Sequence, residues 1–114
     1  MAKPRKELYE GMYIISASLS EESRKKAFEK ITEGILEKGG EVHKVHERGR
    51  IRLAYEIDGK REGFYFVVYF SSLTSSISQL WKDYQLHEDL IRFTTMRTDA
   101  VLETLEFKPI KPQV

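Results

Sequence analysis

The spacing of hydrophobic and polar residues changes several times along the chain, and each change predicts where one element ends and the next begins. Residues 8–16 are rich in aromatic and β-branched side chains and predict a first strand. Apolar residues then recur at steps of three and four, as on one face of a helix: Ala27, Phe28, Ile31, Ile35 and Leu36. We expect Ser20 to cap this helix, and Gly39 with Gly40 to end it.

The period of the pattern changes to two at Glu41, which predicts a long second strand. Its odd positions from Ile51 to Ile57 are apolar and are expected to face the core. Arg50 and Arg52 share the other face. Charged residues in such a pattern are typical of a strand at the edge of a sheet.

A third strand is predicted over residues 63–71, joined to the second by a tight turn at Asp58-Gly59. This strand is apolar on both faces, so it is predicted to be a central strand. On one face it carries Phe64, Phe66, Val68 and Phe70, and on the other Tyr65, Val67 and Tyr69.

A second, shorter helix is expected after a serine-rich capping segment at residues 72–76. Its apolar stripe is Ile77, Leu80, Trp81 and Tyr84. A last strand is expected over residues 90–97. One or two amphipathic turns should follow it, around Val101, Leu102 and Leu105.

The order of these elements predicts a ferredoxin-like double βαβ sandwich, an α+β fold with a four-stranded antiparallel sheet and two helices on one face. No predicted element is left for the other face, so we expect something outside the domain to cover it. A chain of 114 residues fits one domain. We place it at residues 8–107, between a basic N-terminal arm at 1–7 and a flexible, proline-broken tail at 108–114.

Composition narrows the class of protein. The chain has no cysteine, which excludes disulfide frameworks and thiolate metal sites and fits the reducing cytoplasm. No apolar run approaches the roughly 20 residues that span a bilayer, so no membrane is expected as a partner. The net charge is +1, and binding to a nucleic acid must therefore come from local clusters of charge.

The sequence offers no set of residues that would make an enzyme. His43 and His46 are three residues apart on a predicted strand and are expected on opposite faces, where they cannot share a metal. His87 stands beside two acids, but no nucleophile, glycine elbow or phosphate-binding loop accompanies it, so a local turn role is favoured. We therefore expect no catalytic residue, metal, other cofactor or small-molecule substrate.

Basic residues cluster in and beside the second strand. They are Lys44, Arg48, Arg50, Arg52, Lys60 and Arg61. Because Arg50 and Arg52 share a face, they are placed to contact neighbouring phosphates of a nucleic-acid backbone. The alternative is that these charges guard an exposed strand edge against aggregation, and the two roles are compatible.

The third strand also partly matches the glycine and aromatic spacing of RNA-recognition ribonucleoprotein motifs. Phe64, Phe66 and the neighbouring tyrosines would then stack bases, as in a stand-alone module that binds single-stranded RNA. Glu62 stands where that motif has a basic residue, and Tyr65 where it has a small one. These departures favour a protein partner on the aromatic face.

Six short motifs stand out when the chain is read as a whole. They are Tyr9-Glu10, Gly39-Gly40, Glu47-x-Gly49, Arg52-Leu53-Ala54-Tyr55-x-Ile57, Gly63-x-Tyr65 and Leu86-x-Glu88-Asp89-x-x-Arg92. At this spacing, from about Tyr9 to Arg97, the chain resembles the bacterial small-subunit ribosomal protein S6 family.

The resemblance implies a structural function in the cytoplasm, within the small ribosomal subunit. Members of the family pair with ribosomal protein S18, and the pair binds the central domain of small-subunit ribosomal RNA in support of subunit assembly and translation. A basic partner in such a heterodimer would let a nearly neutral chain bind RNA.

We expect the RNA contacts to come from positive side chains in the strands and the arm: Arg50, Arg52, Arg92, Arg97, Lys44, Arg48, Lys3, Arg5 and Lys6. Arg92 has a second interpretation, since it follows Glu88 by four residues and could tie the last strand to the preceding turn. The residues expected to contact the protein partner lie on the sheet and in the tail: Tyr9, Phe64, Phe66, Lys108, Pro109 and Ile110.

Overall fold

The structure is a computed structural model. It describes residues 5–57 and 60–102, except the side chains of residues 54–61. The described residues form two helices and four strands. In chain order they are β1 (Lys6–Ser16), α1 (Glu21–Glu37), β2 (Glu41–Ile57), β3 (Lys60–Leu73), α2 (Ile77–Gln85) and β4 (Leu90–Arg97). The predicted features that lie outside the described residues are the Asp58-Gly59 turn, Lys3, Leu105 and the tail 108–114.

The four strands form one antiparallel sheet in the order β2-β3-β1-β4, so β3 is a central strand as predicted. Both helices pack on the same side of the sheet, called here the helix side. Its core consists of Tyr9, Tyr13, Ile15, Phe66, Val68, Phe70 and Leu90 from the strands and Ala27, Ile31, Ile35, Leu80 and Tyr84 from the helices. This arrangement confirms the predicted ferredoxin-like fold. The opposite side of the sheet is called the open side.

α1 begins after Ser20 and ends before Gly39 and Gly40, as predicted. The Ser20 hydroxyl oxygen accepts a hydrogen bond from the backbone N–H of Ser23 at 3.2 Å, which satisfies one donor of the first turn. At the other end, Gly39 has a φ of +80°, and the N–H of Gly40 donates to the carbonyl of Ile35 at 2.9 Å. Glycine adopts this left-handed conformation without a Cβ clash, so the chain leaves the helix sharply and enters β2.

The beginning of α2 differs from the prediction. β3 continues through Ser72, which is fully buried. A 3-10 turn at Thr74–Ser76 leads into α2, and Ser76 makes no side-chain cap hydrogen bond. Leu80 and Tyr84 are buried as the apolar stripe predicted, whereas Trp81 is 42% exposed.

The pairing of β2 with β3 is irregular at three places, and the first two are β-bulges that change the side of the sheet that the following residues face. The pairing with β3 shifts by one residue at His43 and again at Arg48. Gly49, next to the second bulge, has a φ of +82°, a conformation that suits glycine at a bulge. Because side chains alternate along a strand, each extra residue reverses the alternation after it.

The second bulge overturns the predicted orientation of the far half of β2. Arg50 is paired with Phe64, which packs against the helix-side core. Directly paired residues point to the same side, so Arg50 and Arg52 share a face as predicted, but it is the helix side. Ile51 lies on the open side, and the prediction that it faces the core is wrong. The other odd positions include 55 and 57, whose side chains are not described.

The open side is partly covered by the chain itself. Just after β4, Thr98 donates its N–H to the carbonyl of Leu8 at 3.0 Å. Four residues later, the carbonyl of Leu102 accepts a hydrogen bond from Nε2 of His46 at 2.8 Å. His46 belongs to β2, at the opposite edge of the sheet from β4. Residues 98–102 therefore cross the open side, and we call this segment the strap.

The strap corrects the prediction that the chain has nothing left to cover the open side. Val67 and Tyr69 point to this side, in alternation with Phe66, yet they are only 2% and 0% exposed. His46 is the cross-strand neighbour of Val67 and lies edge-on to Tyr69, with ring centroids 5.8 Å apart. A segment expected to form an isolated amphipathic turn thus supplies part of a third layer.

Candidate RNA and partner surfaces

The aromatic side chains predicted to contact a partner belong to the core. Tyr9 and Phe66 are 6% and 4% exposed. Phe66 stacks on Phe28 of α1 with ring centroids 4.5 Å apart, and Phe64 packs against the same core. β1 directs Tyr9, and β3 directs Phe64 and Phe66, toward the helices. Burial corrects the predicted partner contacts at Tyr9 and Phe66, whereas that at Phe64, which is partly buried, stays a prediction. Because the three rings face the helices, they form no platform for stacking bases.

The remaining residues predicted to contact the protein partner are in the tail. They are Lys108, Pro109 and Ile110, and they lie outside the described residues. Their role stays a prediction.

The middle of the open side is a hydrogen-bonded group rather than an apolar patch. The Tyr69 hydroxyl donates to Oε2 of Glu10 at 2.8 Å. Burial, together with this carboxylate, raises the pKa of Tyr69 to about 12. Burial also raises the pKa of Tyr65, where Glu10 adds to the rise and Arg48 opposes it. A carboxylate at this place repels phosphate, so an RNA backbone is expected at the rims of the open side.

The positive side chains predicted to bind RNA do not form one cluster. They fall into three groups: Arg50 and Arg52 on the helix side; Lys44, Arg48 and Arg92 on the open side; and Arg5, Lys6 and Arg97 where β1 begins and β4 ends. The three groups differ in how far neighbouring carboxylates compensate their charge.

The helix-side group lies where the β2–β3 hairpin begins to extend past β1, with Arg50 level with the end of β1 and Arg52 beyond it. The pairing of β1 with β3 ends at Ser16 opposite Gly63, whereas β2 and β3 remain paired at Arg52 and Glu62. Arg50 forms an ion pair with Glu62. Within residues 5–57 and 60–102, as far as their side chains are described, Arg52 has no acceptor. Among the described side chains, Glu62 is therefore paired with one of these two guanidinium groups and leaves the other unpaired.

The open-side group occupies two opposite edges of the sheet. Lys44 on β2 is paired with Tyr69, and Arg48 lies close enough to Tyr65 to oppose the rise in the pKa of Tyr65. Arg92 is exposed on β4. In the part of the chain that the structure describes, Arg92 forms no ion pair with Glu88, so the tie suggested by their spacing is not made.

The third group is tied into the sheet. Arg97 forms an ion pair with Glu7, with Nη2 and Oε1 2.6 Å apart, and this contact raises the pKa of Arg97. The carbonyl of Arg5 accepts a hydrogen bond from the N–H of Thr74 at 3.0 Å. β1 therefore takes in Lys6 and Glu7 from the predicted N-terminal arm. The charge of Arg97 is largely compensated by its partner.

One arginine that periodicity does not single out joins the helix-side group. The guanidinium carbon of Arg24 lies 3.7 Å from the centre of the Phe64 ring. Arg24 is in the first turn of α1, where the helical pattern marks it only as a polar residue beside the apolar stripe. Its closeness to Phe64 depends on how α1 packs on the sheet, and no local signal in the sequence reports that packing.

The histidines make local contacts. His43 lies 2.6 Å from the Ser71 hydroxyl, on the same side of the sheet as His46, so the prediction of opposite faces is wrong and the first bulge explains why. Nε2 of His87 donates to the carbonyl of Ala27 at 3.2 Å, which agrees with the predicted local role. Among the described residues, no three metal-ligating side chains converge. No described helix is long and apolar enough to cross a membrane.

The fold and its charged surfaces define a class, a small α+β binding protein. A family model described as ribosomal protein S6 matches residues 8–97. The small ribosomal subunit protein bS6 of Protochlamydia amoebophila is 57% identical over 113 residues, covering 99% of each chain. That of Chlamydia felis is 54% identical over 107 residues, 94% of this chain and 96% of the relative. A crystal structure of 30S ribosomal protein S6 from Thermotoga maritima aligns with a TM-score of 0.77 at 33% identity, over 82% of this chain and 89% of that chain.

The chain therefore belongs to the ribosomal protein S6 family, which confirms the resemblance carried by its motifs. The match runs from the third residue of β1 to the last residue of β4, so it includes both helices and nearly all of the sheet. The protein is a structural, non-enzymatic component of the small ribosomal subunit in the cytoplasm.

Proposed function

We propose that this protein binds the central domain of small-subunit ribosomal RNA as a heterodimer with ribosomal protein S18. The observation that carries the proposal is the row of cations along β2, an edge strand whose outer edge pairs with no described strand. Lys44, Arg48, Arg50 and Arg52 lie on it, and the glutamates of β2 are Glu41, Glu47 and Glu56. A phosphate backbone that runs along this edge would meet positive charge on both sides of the sheet.

The proposed partner supplies charge that this chain lacks. With a net charge of +1, the protein alone creates little long-range attraction for RNA. A basic partner beside it would extend the positive surface and make binding cooperative. We further propose that the predicted arm at residues 1–7 contributes to the RNA contact. The tail at residues 108–114, with Lys108, Pro109 and Ile110, would lie along the partner.

A salt titration of binding to a central-domain RNA fragment tests this proposal, first with the protein alone and then with added S18. We expect tight binding only in the presence of S18. In that complex, Arg50→Ala with Arg52→Ala should lower the affinity and flatten the slope of log affinity against log salt by about 1.5–2, if each arginine contacts one phosphate.

The matched control removes the same charge elsewhere. Lys30 and Lys82 are exposed on α1 and α2, and Lys30→Ala with Lys82→Ala should change affinity and slope much less. Equal effects of the two double variants would show that only overall charge matters. Equally tight binding without S18 would contradict the heterodimer.

A further inference from the structure

We propose that Arg24, Arg50 and Arg52 form a phosphate-binding site around Phe64, and that its ligand is a backbone phosphate of RNA. The site lies on the helix side of the projecting hairpin and joins a residue of α1 to two residues of β2. This inference rests on the proposed RNA binding and gives it a specific location.

The first part of the site is an arginine placed over an aromatic ring. The Arg24 guanidinium carbon is 3.7 Å from the centre of the Phe64 ring, a cation–π contact. Stacking fixes the plane of the guanidinium and leaves its N–H groups at the rim of the ring, where a planar fork can grip two oxygens. No oxygen acceptor of the described residues takes up these donors.

The second part of the site approaches the same ring from β2. Arg50 is the cross-strand partner of Phe64, so its side chain starts beside the ring that holds Arg24. Arg52 follows on the same face, opposite Glu62. Two elements distant in sequence thus bring three guanidinium groups to one surface.

The charge balance of this surface favours an anion. Two described carboxylates, Glu47 and Glu62, share this face with the three arginines, and Glu62 is paired with Arg50. The acids in the first turn of α1 do not neutralise Arg24, since Glu22 pairs with Lys26 at 3.6 Å and Glu21 forms no ion pair among the described residues. An RNA phosphate supplies both the missing charge and the acceptors.

The test measures RNA binding by the complex with S18. Arg24→Ala should weaken binding by about tenfold and flatten the salt slope by about 0.9. Arg24→Lys keeps the charge but loses the planar fork, so it should keep most of the slope while lowering affinity. Phe64→Leu keeps an apolar side chain and removes the ring, and it should have an intermediate effect. Lys30→Ala is the matched control with one exposed charge removed.

A second measurement observes the site without RNA. The Nε–Hε signals of Arg24 and Arg52 should move when inorganic phosphate is added in an NMR titration, whereas that of Arg97, paired with Glu7, should move less. Circular dichroism of each variant verifies that it is folded.

The outcomes separate this site from the proposed function. If Arg24→Ala binds RNA like the wild type while the Arg50 and Arg52 variant does not, the site is wrong and RNA binding stands. If Arg24→Ala weakens binding to S18 and leaves the salt slope unchanged, the occupant is a protein, which overturns the inference. If the wild-type complex binds no RNA, the proposed function itself fails.

Discussion

The two sides of the sheet are stabilised in different ways. On the helix side, aromatic and aliphatic side chains pack under two helices, and Tyr13 and Phe70 are completely buried. On the open side, residues 98–102 provide partial cover and polar contacts such as that between Tyr69 and Glu10 lie beneath it. We therefore expect the stability of the fold to depend more on the packing of the helix side than on the cover of the open side.

The largest expected effect is a truncation on the helix side. Phe66→Ala removes a ring that is 4% exposed and stacked on Phe28, so the free energy of unfolding should fall by about 3–5 kcal/mol. Met12, half-buried on the open side opposite Val67, is the comparison. Met12→Ala should cost about 1 kcal/mol. Urea denaturation measures both, and similar losses would contradict the difference between the two sides.

Alkaline pH should weaken both sides through two tyrosines. Burial is the main reason that the pKa of Tyr84 beneath the helices and that of Tyr69 on the open side are each raised to about 12. Because both values exceed that of an unfolded tyrosine, about 10, the folded state disfavours the tyrosinate. The stability from these groups is therefore complete below about pH 10 and is lost as the pH rises through about 12. For Tyr84 the loss should be about 2–3 kcal/mol.

Denaturant unfolding between about pH 8 and pH 12 measures this loss, and Tyr84→Phe provides the control. The phenylalanine variant cannot ionise at this position, so its stability should fall less steeply with pH. It also leaves the Tyr13 hydroxyl, 3.0 Å from that of Tyr84, without its partner and should be less stable at neutral pH. A flat profile for the wild type would show that neither tyrosine is shielded as the structure indicates.

The elements of regular period were predictable, because the period reports directly which face is buried. β1, α1 and β3 kept an unbroken alternation or helical repeat, and their core residues, such as Ile31 and Val68, are buried. β2 was predicted less well because bulges at His43 and Arg48 each insert one residue. Gly49 is a local signal of the second bulge. The alternation of apolar residues from Ile51 to Ile57, taken without that bulge, predicts Ile51 on the helix side, whereas it lies on the open side.

The candidate surfaces were harder to predict than the fold, because they depend on contacts between distant segments. Basic residues on β2 could be read from the sequence, but the stacking of Arg24 on Phe64 requires α1 to be packed on the sheet. The strap was hard to predict for the same reason, because Leu102 contacts His46 only once the sheet has formed. Aromatic alternation in β3 identified two faces and could not tell which one the helices cover.

A smaller effect is expected from releasing the strap. His46→Ala removes the hydrogen bond to the Leu102 carbonyl and should cost about 0.5–1.5 kcal/mol. With less cover, the pKa of Tyr69 should fall from about 12 toward its ordinary value, because burial is the main cause of the rise. Absorbance titration of tyrosinate, compared with a Tyr69→Phe background, isolates this residue.

Tyr84 is the internal reference for that experiment, since the helices shield it and its pKa should stay near 12. His46→Gln keeps an N–H donor and should retain more of the strap contact than alanine does. If the pKa of Tyr69 is the same in the alanine variant and the wild type, the strap does not shield the open side.

The smallest effect on stability is expected from the exposed arginines, and it distinguishes compensated from uncompensated charge. Arg97→Ala breaks the ion pair with Glu7 and should lower stability less than His46→Ala does, with the loss erased at high salt. Arg92→Ala removes an exposed side chain with no ion-pair partner among the described residues and should leave thermal unfolding unchanged. For RNA binding by the S18 complex we expect the reverse order, since no described carboxylate pairs with Arg92, whereas Arg97 is paired with Glu7. A larger loss of RNA affinity from Arg97→Ala than from Arg92→Ala would show that Arg97 contacts a phosphate despite its ion pair with Glu7. The charges that stabilise the sheet would then also be those that bind RNA, and the separation between folding and binding surfaces would fail at this edge.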